Sequence, residues 1–423
     1  MKRRLTALLF LLLTLAQAQP PLVSEITFKG VKVTKRYILE REIQHPVNAP
    51  LDSALAQDDR NRLLNLYIFA DVYWRAIPVE NNSVILEYEV VESRRFIGGP
   101  MPVYDEDTGW SLSVGLIWKN FRGRNETLMG GGTFGGRRNY GLNFTDPWIT
   151  GDHLSLSIET GRNVNHHPFL PYEIRTNSFE VNMGLYFGYT RKASLGFELE
   201  EKVFANDSVK LDYQYFAPQG SFQYDTRDIY IEPTHGVHFI QSFYSILDLK
   251  GNRPVTLFWR QSYSLFRMLY DNPAGRHLIL GLNLASRITL GDRDPVWQES
   301  IGGSFSVRGW SFPDQAMFAN GNKNYRFGNH YLTASVELRK TVIPRHVTRF
   351  NTEFGVTLAW FLDAGLAAND FSRLTDQSPL LGTGISVQMP YPFFDIIRLD
   401  YGWGFRKGTQ VDQSFHFAFE QKF

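Results

Sequence analysis

The chain has 423 residues with a formal net charge of +1, 15% aromatic residues and 35 glycines, and its mean hydropathy is −0.26. It has no cysteine, which excludes a disulfide scaffold, a thiolate metal site, a cysteine enzyme and a lipid-anchored lipoprotein. Lysine and arginine (44) balance aspartate and glutamate (43), so no basic surface predicts a nucleic-acid partner.

The first residues, 1–18, have the pattern of a signal peptide. A basic start, Lys2 to Arg4, precedes the apolar run Leu5 to Leu15, and the small residues Ala16 and Ala18 suit signal peptidase. We therefore expect an exported chain. No long apolar run follows, which excludes a helical membrane protein but not a membrane β-barrel, because a barrel strand is apolar only at every second residue.

Residues 23–92 are predicted to form a small α+β domain in the order strand, helix, helix, strand, strand. A helix is expected to begin at Thr34 as its N-cap, and a second apolar stripe of helical spacing runs from Leu51 to Phe69. Two alternating runs on either side of Asn81-Asn82 predict a β-hairpin. Roughly seventy residues suffice for an independent domain.

From Arg95 onward apolar and polar residues alternate, which predicts strands throughout 95–423. An even number of antiparallel strands closes a barrel, and about twenty residues per strand and turn fits strands that cross a bilayer. The predicted fold is an all-β transmembrane barrel of 16 antiparallel strands, after one small α+β domain. The candidate strands begin near Arg95, Trp110, Glu126, Asn139, His153, Asn177, Ala193, Tyr213, Val237, Val255, Arg276, His330, Gly355, Gly382, Ile396 and Ser414.

Strict alternation assigns the two faces of the last strands. In the segment WFLDAG it turns Phe361, Asp363 and Gly365 toward the lumen, and in IIRLDYGWGF it turns Arg398 and Asp400 inward. The last predicted strand, Ser414 to Phe423, carries a row of aromatic residues on one face. This row consists of Phe415, Phe417, Phe419 and Phe423.

The longest segment without a strand or helix pattern spans about 291–329 and contains the sequence SVRGW. If this loop folds back into the lumen, the guanidinium of Arg308 meets a planar, two-pronged partner in the carboxylate of Asp363. The loop would then be a tethered plug. An ordinary eyelet pair of a porin is the alternative interpretation of these two residues.

These motifs resemble those of the superfamily of outer-membrane assembly and translocation proteins that includes BamA, TamA and FhaC, also called the bacterial surface antigen family. The loop motif comprises Val307, Arg308, Gly309 and Trp310, and its lumenal partner motif comprises Phe361, Asp363 and Gly365. Other positions that match are Gly382, Gly384, Arg398 and Asp400. Residues 23–92 resemble a POTRA domain, so the chain is similar to a member with a single POTRA domain.

The resemblance implies a bacterial outer-membrane location with the POTRA-like domain in the periplasm. It implies no enzymatic activity and no cofactor. One departure concerns the strand after the partner motif, where Ser386 replaces the family's arginine and predicts a smaller lumenal charge cluster. A metal site is disfavoured because the rings of His166-His167 and of His235 with His238 point to opposite faces of a strand.

The resulting functional hypothesis is the assembly or translocation of polypeptides. Its expected partners are the outer-membrane bilayer, unfolded outer-membrane or secreted polypeptide clients, and periplasmic chaperones or lipoproteins. An edge strand of the POTRA-like domain would hold an extended client by β-augmentation. A passive pore, a surface antigen without clients and an outer-membrane lipase with a scattered catalytic triad remain alternatives.

The first barrel strand has a composition that weakens strand pairing. Proline lacks a backbone donor and glycine weakens strand order, so this strand is not expected to complete its ladder on both sides. Because closure joins it to the last strand, we predict a seam that opens as a lateral gate. The predicted seam residues are Gly98, Gly99, Pro100, Pro102 and Phe423.

Overall fold

The computed structural model describes residues 20–105, 109–150, 153–167, 170–251, 253–313, 324–349, 352–391 and 395–423, and the predicted signal peptide, 1–18, lies outside them. The chain divides into two compact units between Glu92 and Ser93. In the part of the chain described here, neither α-helix is long and apolar enough to cross a membrane.

The N-terminal unit contains a three-stranded sheet and two helices, as predicted for an α+β domain. Its elements are β1 (Leu22–Lys29), α1 (Arg36–Glu40), α2 (Ser53–Leu64), β2 (Phe69–Val79) and β3 (Ser83–Glu92). Strand β3 is central, parallel to β1 and antiparallel to β2. Asn81 and Asn82 both adopt positive φ in the β2–β3 turn, a conformation that asparagine tolerates. The buried apolar residues include Val23, Ile38, Leu39, Leu63, Val72, Leu86 and Val90.

Two predicted details of these helices are wrong. Helix α1 begins after Lys35, and Thr34 is not its cap, because the Thr34 hydroxyl donates to Glu92 Oε1 at 2.6 Å. Helix α2 ends at Leu64, so the predicted apolar stripe is divided between a helix and β2, which begins at Phe69. Asp52 caps α2 by accepting hydrogen bonds from two backbone amides of its first turn.

The second unit is a sheet of 16 antiparallel strands that follow one another in chain order, which confirms the predicted barrel strands. They are β4 (Phe96–Asp105), β5 (Gly109–Phe121), β6 (Glu126–Gly135), β7 (Arg138–Asp146), β8 (Leu154–His166), β9 (Glu173–Phe187), β10 (Arg191–Ala205), β11 (Lys210–Asp225), β12 (His235–Asp248), β13 (Thr256–Tyr270), β14 (Leu278–Gly291), β17 (His330–Val347), β18 (Glu353–Ala368), β19 (Leu380–Tyr391), β20 (Asp395–Arg406) and β21 (Thr409–Ala418). Two short strands, β15 (Glu299–Ser300) and β16 (Phe327–Gly328), pair with each other inside the long loop between β14 and β17.

The barrel strands alternate between an exposed outer face and a lumenal face. In β18 the outward side chains of Trp360 and Leu362 are 44% and 42% exposed, whereas Phe361 and Asp363 are fully buried. The same alternation buries Arg398 and Asp400 in β20. The predicted orientation of these residues is therefore the one that the structure shows.

A row of glycines crosses the first five strands of the barrel at one level. Successive members lie directly opposite one another in the register, from β4 to β8. The row lies on the lumenal face, because Ser111 and Thr133, on the same faces of β5 and β6, are buried. A Cβ on Gly131 would come within 2.7 Å of the Gly115 Cα, so the strands approach closely where side chains are lacking. The row consists of Gly99, Gly115, Gly131, Gly141 and Gly161.

The end of the chain departs from the predicted last strand. Strand β21 ends at Ala418 and the tail, 419–423, leaves the sheet. Phe415 is 61% exposed on the outer face, but Phe423 stacks on the lumenal ring of Phe266 at 6.0 Å. The prediction that Phe423 belongs to the last strand and to its seam is wrong, because the strand ends at Ala418 and alternation applies only while the strand continues.

Candidate functional site

The described residues of the long loop between β14 and β17, 292–313 and 324–329, are folded and held at the base of the loop. The β15–β16 pair brings its two ends together, and Arg326 donates from Nε to the Ile301 carbonyl at 3.1 Å and from Nη2 to the Ser311 carbonyl. Ile301, Val307 and Trp310 are buried in an apolar cluster with Leu380 of β19. The motif-bearing part of the loop therefore packs into an apolar core that it shares with the barrel wall.

Arg308 is fully buried and joins the loop to β18. Its Nε and Nη2 donate to the two carboxylate oxygens of Asp363 at 2.9 and 3.1 Å, and its backbone amide donates to Asp363 Oδ2 at 3.0 Å. The guanidinium also lies 3.9 Å above the ring of Phe361. Such two-pronged, charge-assisted contacts fix orientation as well as adding energy. The loop is thus tethered at the position that the motifs predicted.

Glu337 and Arg339 of β17 extend the charged site beyond the predicted pair. Arg308 Nη1 also donates to Glu337, and Glu337 accepts from Arg339 at 2.7 Å. Both side chains are buried. Alternation along β17 puts both residues on the polar face of the strand, but it does not indicate that the loop reaches them.

Two further cations complete the cluster. Arg398 bonds Asp400 at 2.8 Å and the Ser304 carbonyl at 2.6 Å, and Lys422 Nζ lies 2.7 Å from Asp363 Oδ2. Ser386 is buried and brings no charge, yet the cluster is not small as predicted, because the chain terminus supplies Lys422. Four side-chain cations face three carboxylates, those of Glu337, Asp363 and Asp400.

The glycines of the matched motifs explain how the loop lies so close to the wall. A Cβ on Gly382 would stand 1.8 Å from the Arg308 carbonyl oxygen, and one on Gly365 would stand 2.5 Å from Val307. Gly309 has a φ of +83°, and its Cβ would meet the backbone of Trp403 at 2.7 Å. Only glycine avoids such contacts, since it has no Cβ and accepts positive φ. Gly384 instead allows close packing within the wall, against the Tyr401 carbonyl and the Phe361 ring.

The loop tip also binds the last strand of the barrel. The Gly309 amide donates to His416 Nε2 at 3.0 Å, and the Ser311 amide and hydroxyl donate to Asp412 Oδ2 at 3.0 and 2.8 Å. Trp310 Nε1 donates to the Leu381 carbonyl at 2.9 Å. Sequence reasoning missed Asp412 and His416. The loop therefore connects β17 to β21 as one unit.

Family models match both units of the chain. The Omp85 superfamily domain matches residues 120–423, and the model named surface antigen variable number repeat, a POTRA domain, matches 21–93. The chain belongs to the Omp85 superfamily. As an Omp85 barrel with a POTRA domain it is a protein of the outer membrane.

Individual relatives of this Omp85 protein are distant. The outer membrane protein assembly factor BamA of Neisseria meningitidis is 26% identical over 145 residues, which is 32% of this chain and 18% of that protein. BamA from Haemophilus ducreyi lacking POTRA domains 1–3 superimposes with a TM-score of 0.57 at 17% identity, over 93% of this chain and 84% of the other. CdiB from Acinetobacter baumannii gives 0.55 at 14%, over 94% and 73%. These structures share the fold.

The seam of the Omp85 barrel is the second candidate site. Strand β4 pairs with β5 along its whole length, from Phe96 opposite Trp118 to Asp105 opposite Gly109. Among the described residues the ladder order begins at β21 and ends at β4, and no hydrogen-bonded pairing joins these two strands. A groove of about 500 Å³ lies beside β4, lined by Gly98, Gly99 and Pro100 and by the glycines of β5 to β7.

Proposed function

We propose that this Omp85 protein assembles or translocates polypeptide clients at the outer membrane without enzymatic chemistry. The observation that carries the proposal is the unpaired seam between β4 and β21 in a sheet whose other neighbours are all paired. In a bilayer each unsatisfied backbone group costs several kcal/mol, so an open strand edge favours pairing with an incoming strand. Pairing of the client with this edge would supply the driving force.

The POTRA domain, which we place in the periplasm, offers the client a second strand edge. Among the residues that the structure describes, strand β2 pairs only with β3, and its outward residues include Tyr73, which is 53% exposed. An extended polypeptide binds such an edge through main-chain hydrogen bonds and with little sequence selectivity. Periplasmic chaperones or lipoproteins that deliver clients are the further partners of this proposal. The relatives named above support the class of function through BamA, an assembly factor.

Disulfide locks across the seam test the proposal. Cysteines can be introduced cleanly because the chain has none. Outward positions on β4, at 98, 100 and 102, are combined with outward positions on β21, at 411, 413 and 415. Pairs that crosslink are expected to leave the barrel folded and to stop assembly of an unfolded barrel client in liposomes until a reductant is added.

The matched control lies far from the seam. Met183→Cys with Leu195→Cys joins two outward residues that face each other on β9 and β10. This lock is expected to have no effect on client assembly. If both locks behave alike, the seam has no role, and a passive pore or a surface antigen becomes the better interpretation. Single-channel conductance then separates those two, because only an open pore conducts.

Deletion of the N-terminal unit tests separately whether this unit contributes to client assembly. Deletion of Val23 to Glu92 is expected to leave a barrel that inserts, because the two units have separate cores. Client assembly is expected to fall. Full activity of the shortened protein would contradict the role of the β2 edge. An unfolded barrel client and a secreted passenger, tested side by side, distinguish insertion from translocation.

A further inference from the structure

The outward face of β7 to β10 changes character at the end of the barrel that carries the long loop. Its outward residues form rows that run straight across the four strands, because the members of a row lie opposite one another in the register. The row nearest the middle of the barrel is mostly apolar, and its Leu142, Phe179 and Leu199 are 62%, 40% and 43% exposed. Such a row belongs to the surface that faces the acyl chains of a bilayer.

The next two rows toward the loop end carry three arginines. One row consists of Tyr140, Arg162, Asn177 and Glu201, and the other of Arg138, Val164, Arg175 and Val203. Two residues of strand cover about 6.6 Å, so the backbone of both rows lies within roughly 13 Å of the apolar row. Tyr140 is 62% exposed, and aromatic side chains are typical of the boundary between acyl chains and headgroups.

One carboxylate holds two of these arginines side by side. Glu173 Oε2 accepts from Arg138 Nη2 at 2.7 Å, and Glu173 Oε1 accepts from Arg175 Nε at 2.6 Å. The backbones of β7 and β9 are two strand spacings apart, about 10 Å. The two arginine side chains are still 60% and 53% exposed, so both guanidiniums can be reached from outside the barrel.

The third arginine gives this face an excess of positive charge. Arg162 is exposed and has no partner among the residues that the structure describes. Asn177, opposite it on β9, donates to Glu201 at 2.9 Å. Three guanidiniums therefore accompany two carboxylates, those of Glu173 and Glu201.

Other parts of the outer surface lack this pattern. At the same end, the last outward row that β12 to β14 share consists of Ser245, Leu257 and Leu290. At the opposite end of β8 to β10, an outward row consists of Leu154, Leu185 and Ala193. The arginine rows are thus confined to one sector and one end of the barrel.

We propose that the outward face of β7 to β10 at the loop end binds a lipid whose headgroup carries phosphate groups. Arg138, Arg162 and Arg175 donate to the phosphate oxygens, for which the planar guanidinium has matching geometry. The acyl chains of the same molecule lie on the apolar row. Basic clusters beside a bilayer attract anionic headgroups in this way.

The course of the chain assigns this lipid to one leaflet. The N-terminal unit joins the barrel before β4, at the end opposite the β6–β7 and β14–β17 connections. With that unit placed in the periplasm, the arginine rows lie in the outer leaflet. The leaflet rests on the proposed location of the N-terminal unit, whereas the binding site does not.

Lipid titration of the refolded full chain in detergent, followed by native mass spectrometry, tests the site. The probe is diphosphoryl lipid A, and the comparison is the same lipid without its phosphates. We expect saturable binding of the phosphorylated lipid and at least about tenfold weaker binding of the other. Each arginine near a charged headgroup contributes about fivefold in affinity, so Arg162→Gln should weaken binding about fivefold and the triple Arg→Gln variant at 138, 162 and 175 about a hundredfold.

The matched control is Arg191→Gln, which removes an exposed outward arginine at the other end of β10. It should bind the lipid as the parental protein does. Equal binding by the parental and triple-variant proteins, or equal binding of the two lipids, would overturn the proposal. Inorganic phosphate at the concentration of the lipid should not compete, because it has no acyl chains, and full competition would overturn the assignment to a lipid.

A single substitution keeps the test decisive if the triple variant does not fold. Arg162→Gln breaks no contact among the described residues, so unchanged lipid binding by this variant would contradict the proposal. The titration in detergent does not depend on client assembly. The seam locks can therefore fail while the lipid site stands, and the lipid site can fail while the proposed function stands.

Discussion

The two sides of the barrel, β17 to β21 and β4 to β8, differ in how their residues pack. The wall from β17 to β21 packs against the loop through buried charged side chains, among them Asp363 with Arg308 of the loop and Arg398 with the Ser304 carbonyl of the loop. The wall from β4 to β8 has a row of glycines, two prolines in its first strand and a groove of about 500 Å³. Buried charges need fixed partners, whereas glycines leave a sheet free to bend. One barrel thus combines a rigid wall with a deformable one.

Arg308→Ala is expected to have the largest effect on the rigid wall. Removing one partner of a buried ion pair costs about 3–5 kcal/mol, since Asp363 and Glu337 lose a shared cation. We expect the loop to become sensitive to protease while the barrel stays folded. Arg308→Lys is expected to rescue poorly, because an ammonium group cannot make the two-pronged contact. Limited proteolysis of the refolded proteins measures this.

The matched control is Arg293→Ala, which removes an exposed pair with Asp370 in the same barrel. Exposed pairs contribute about 0–1 kcal/mol, so protease resistance should not change. Equal resistance of the Arg308→Ala and parental proteins would mean that the charge pair does not hold the loop.

A pair of glycine substitutions compares the two walls directly. Gly382→Ala would place a Cβ 1.8 Å from the Arg308 carbonyl, whereas a Cβ on Gly98 meets nothing closer than 3.4 Å. Overpacking costs about 1–3 kcal/mol, so we expect Gly382→Ala to loosen the loop and Gly98→Ala to have little effect on it. Thermal unfolding together with limited proteolysis measures both. Similar losses in the two variants would remove the contrast between the walls.

The deformable wall can be stiffened at β4. Pro100→Ala with Pro102→Ala returns two backbone donors to the strand beside the seam. Each hydrogen bond gained contributes about 0.5–1.5 kcal/mol, so amide exchange in β4 and β21 should slow. Client assembly should slow with it if opening of the seam limits the rate. Unchanged exchange in both strands would show that the prolines do not keep the seam open.

The smallest effect is expected from a substitution in the N-terminal unit. It should leave both walls of the barrel unaffected. Burial raises the pKa of the Glu92 carboxyl, but hydrogen bonds from Thr34 and Val33 outweigh it and leave the pKa below its ordinary 4.5. A carboxyl whose folded pKa is lowered stabilises the fold above its unfolded pKa. This stabilisation is lost as the pH falls from about 4.5 through the folded value.

Glu92→Gln measures that contribution. Hydrogen bonds to a charged group contribute about 1.5–3 kcal/mol, and partial exposure reduces this to about 1 kcal/mol at neutral pH. Urea unfolding of the N-terminal unit at pH 7 and pH 3 is the measurement, and the difference between the two proteins should shrink at pH 3. Loop protection inside the barrel serves as the control and should stay at the parental level.

Alternation predicted much of the barrel because a strand presents alternate residues to the lumen wherever it lies in the wall. Alternation alone was sufficient to predict the inward positions of four residues, Phe361, Asp363, Arg398 and Asp400. The partners Glu337 and Arg339 lie on the polar face of an alternating strand, but alternation does not say which part of the wall a loop reaches.

The predictions that were wrong concern places where a regular element ends. Thr34 follows a turn whose geometry depends on Glu92, which lies 58 residues further along the chain. Lys422 and Phe423 follow the last residue of β21, where the period of two no longer applies. Contacts made by such segments are set by the finished fold, and neighbouring residues in the sequence do not encode them.

The bond from the Gly309 amide to His416 spans 107 residues of chain. Closing so long a segment is entropically costly, and contacts of this separation form late in folding. The loop tip cannot bind His416 before the last strand has been added to the sheet. Docking of the loop tip on His416 therefore marks the completion of the barrel. The time at which the loop becomes protected from protease then reports the final step of folding.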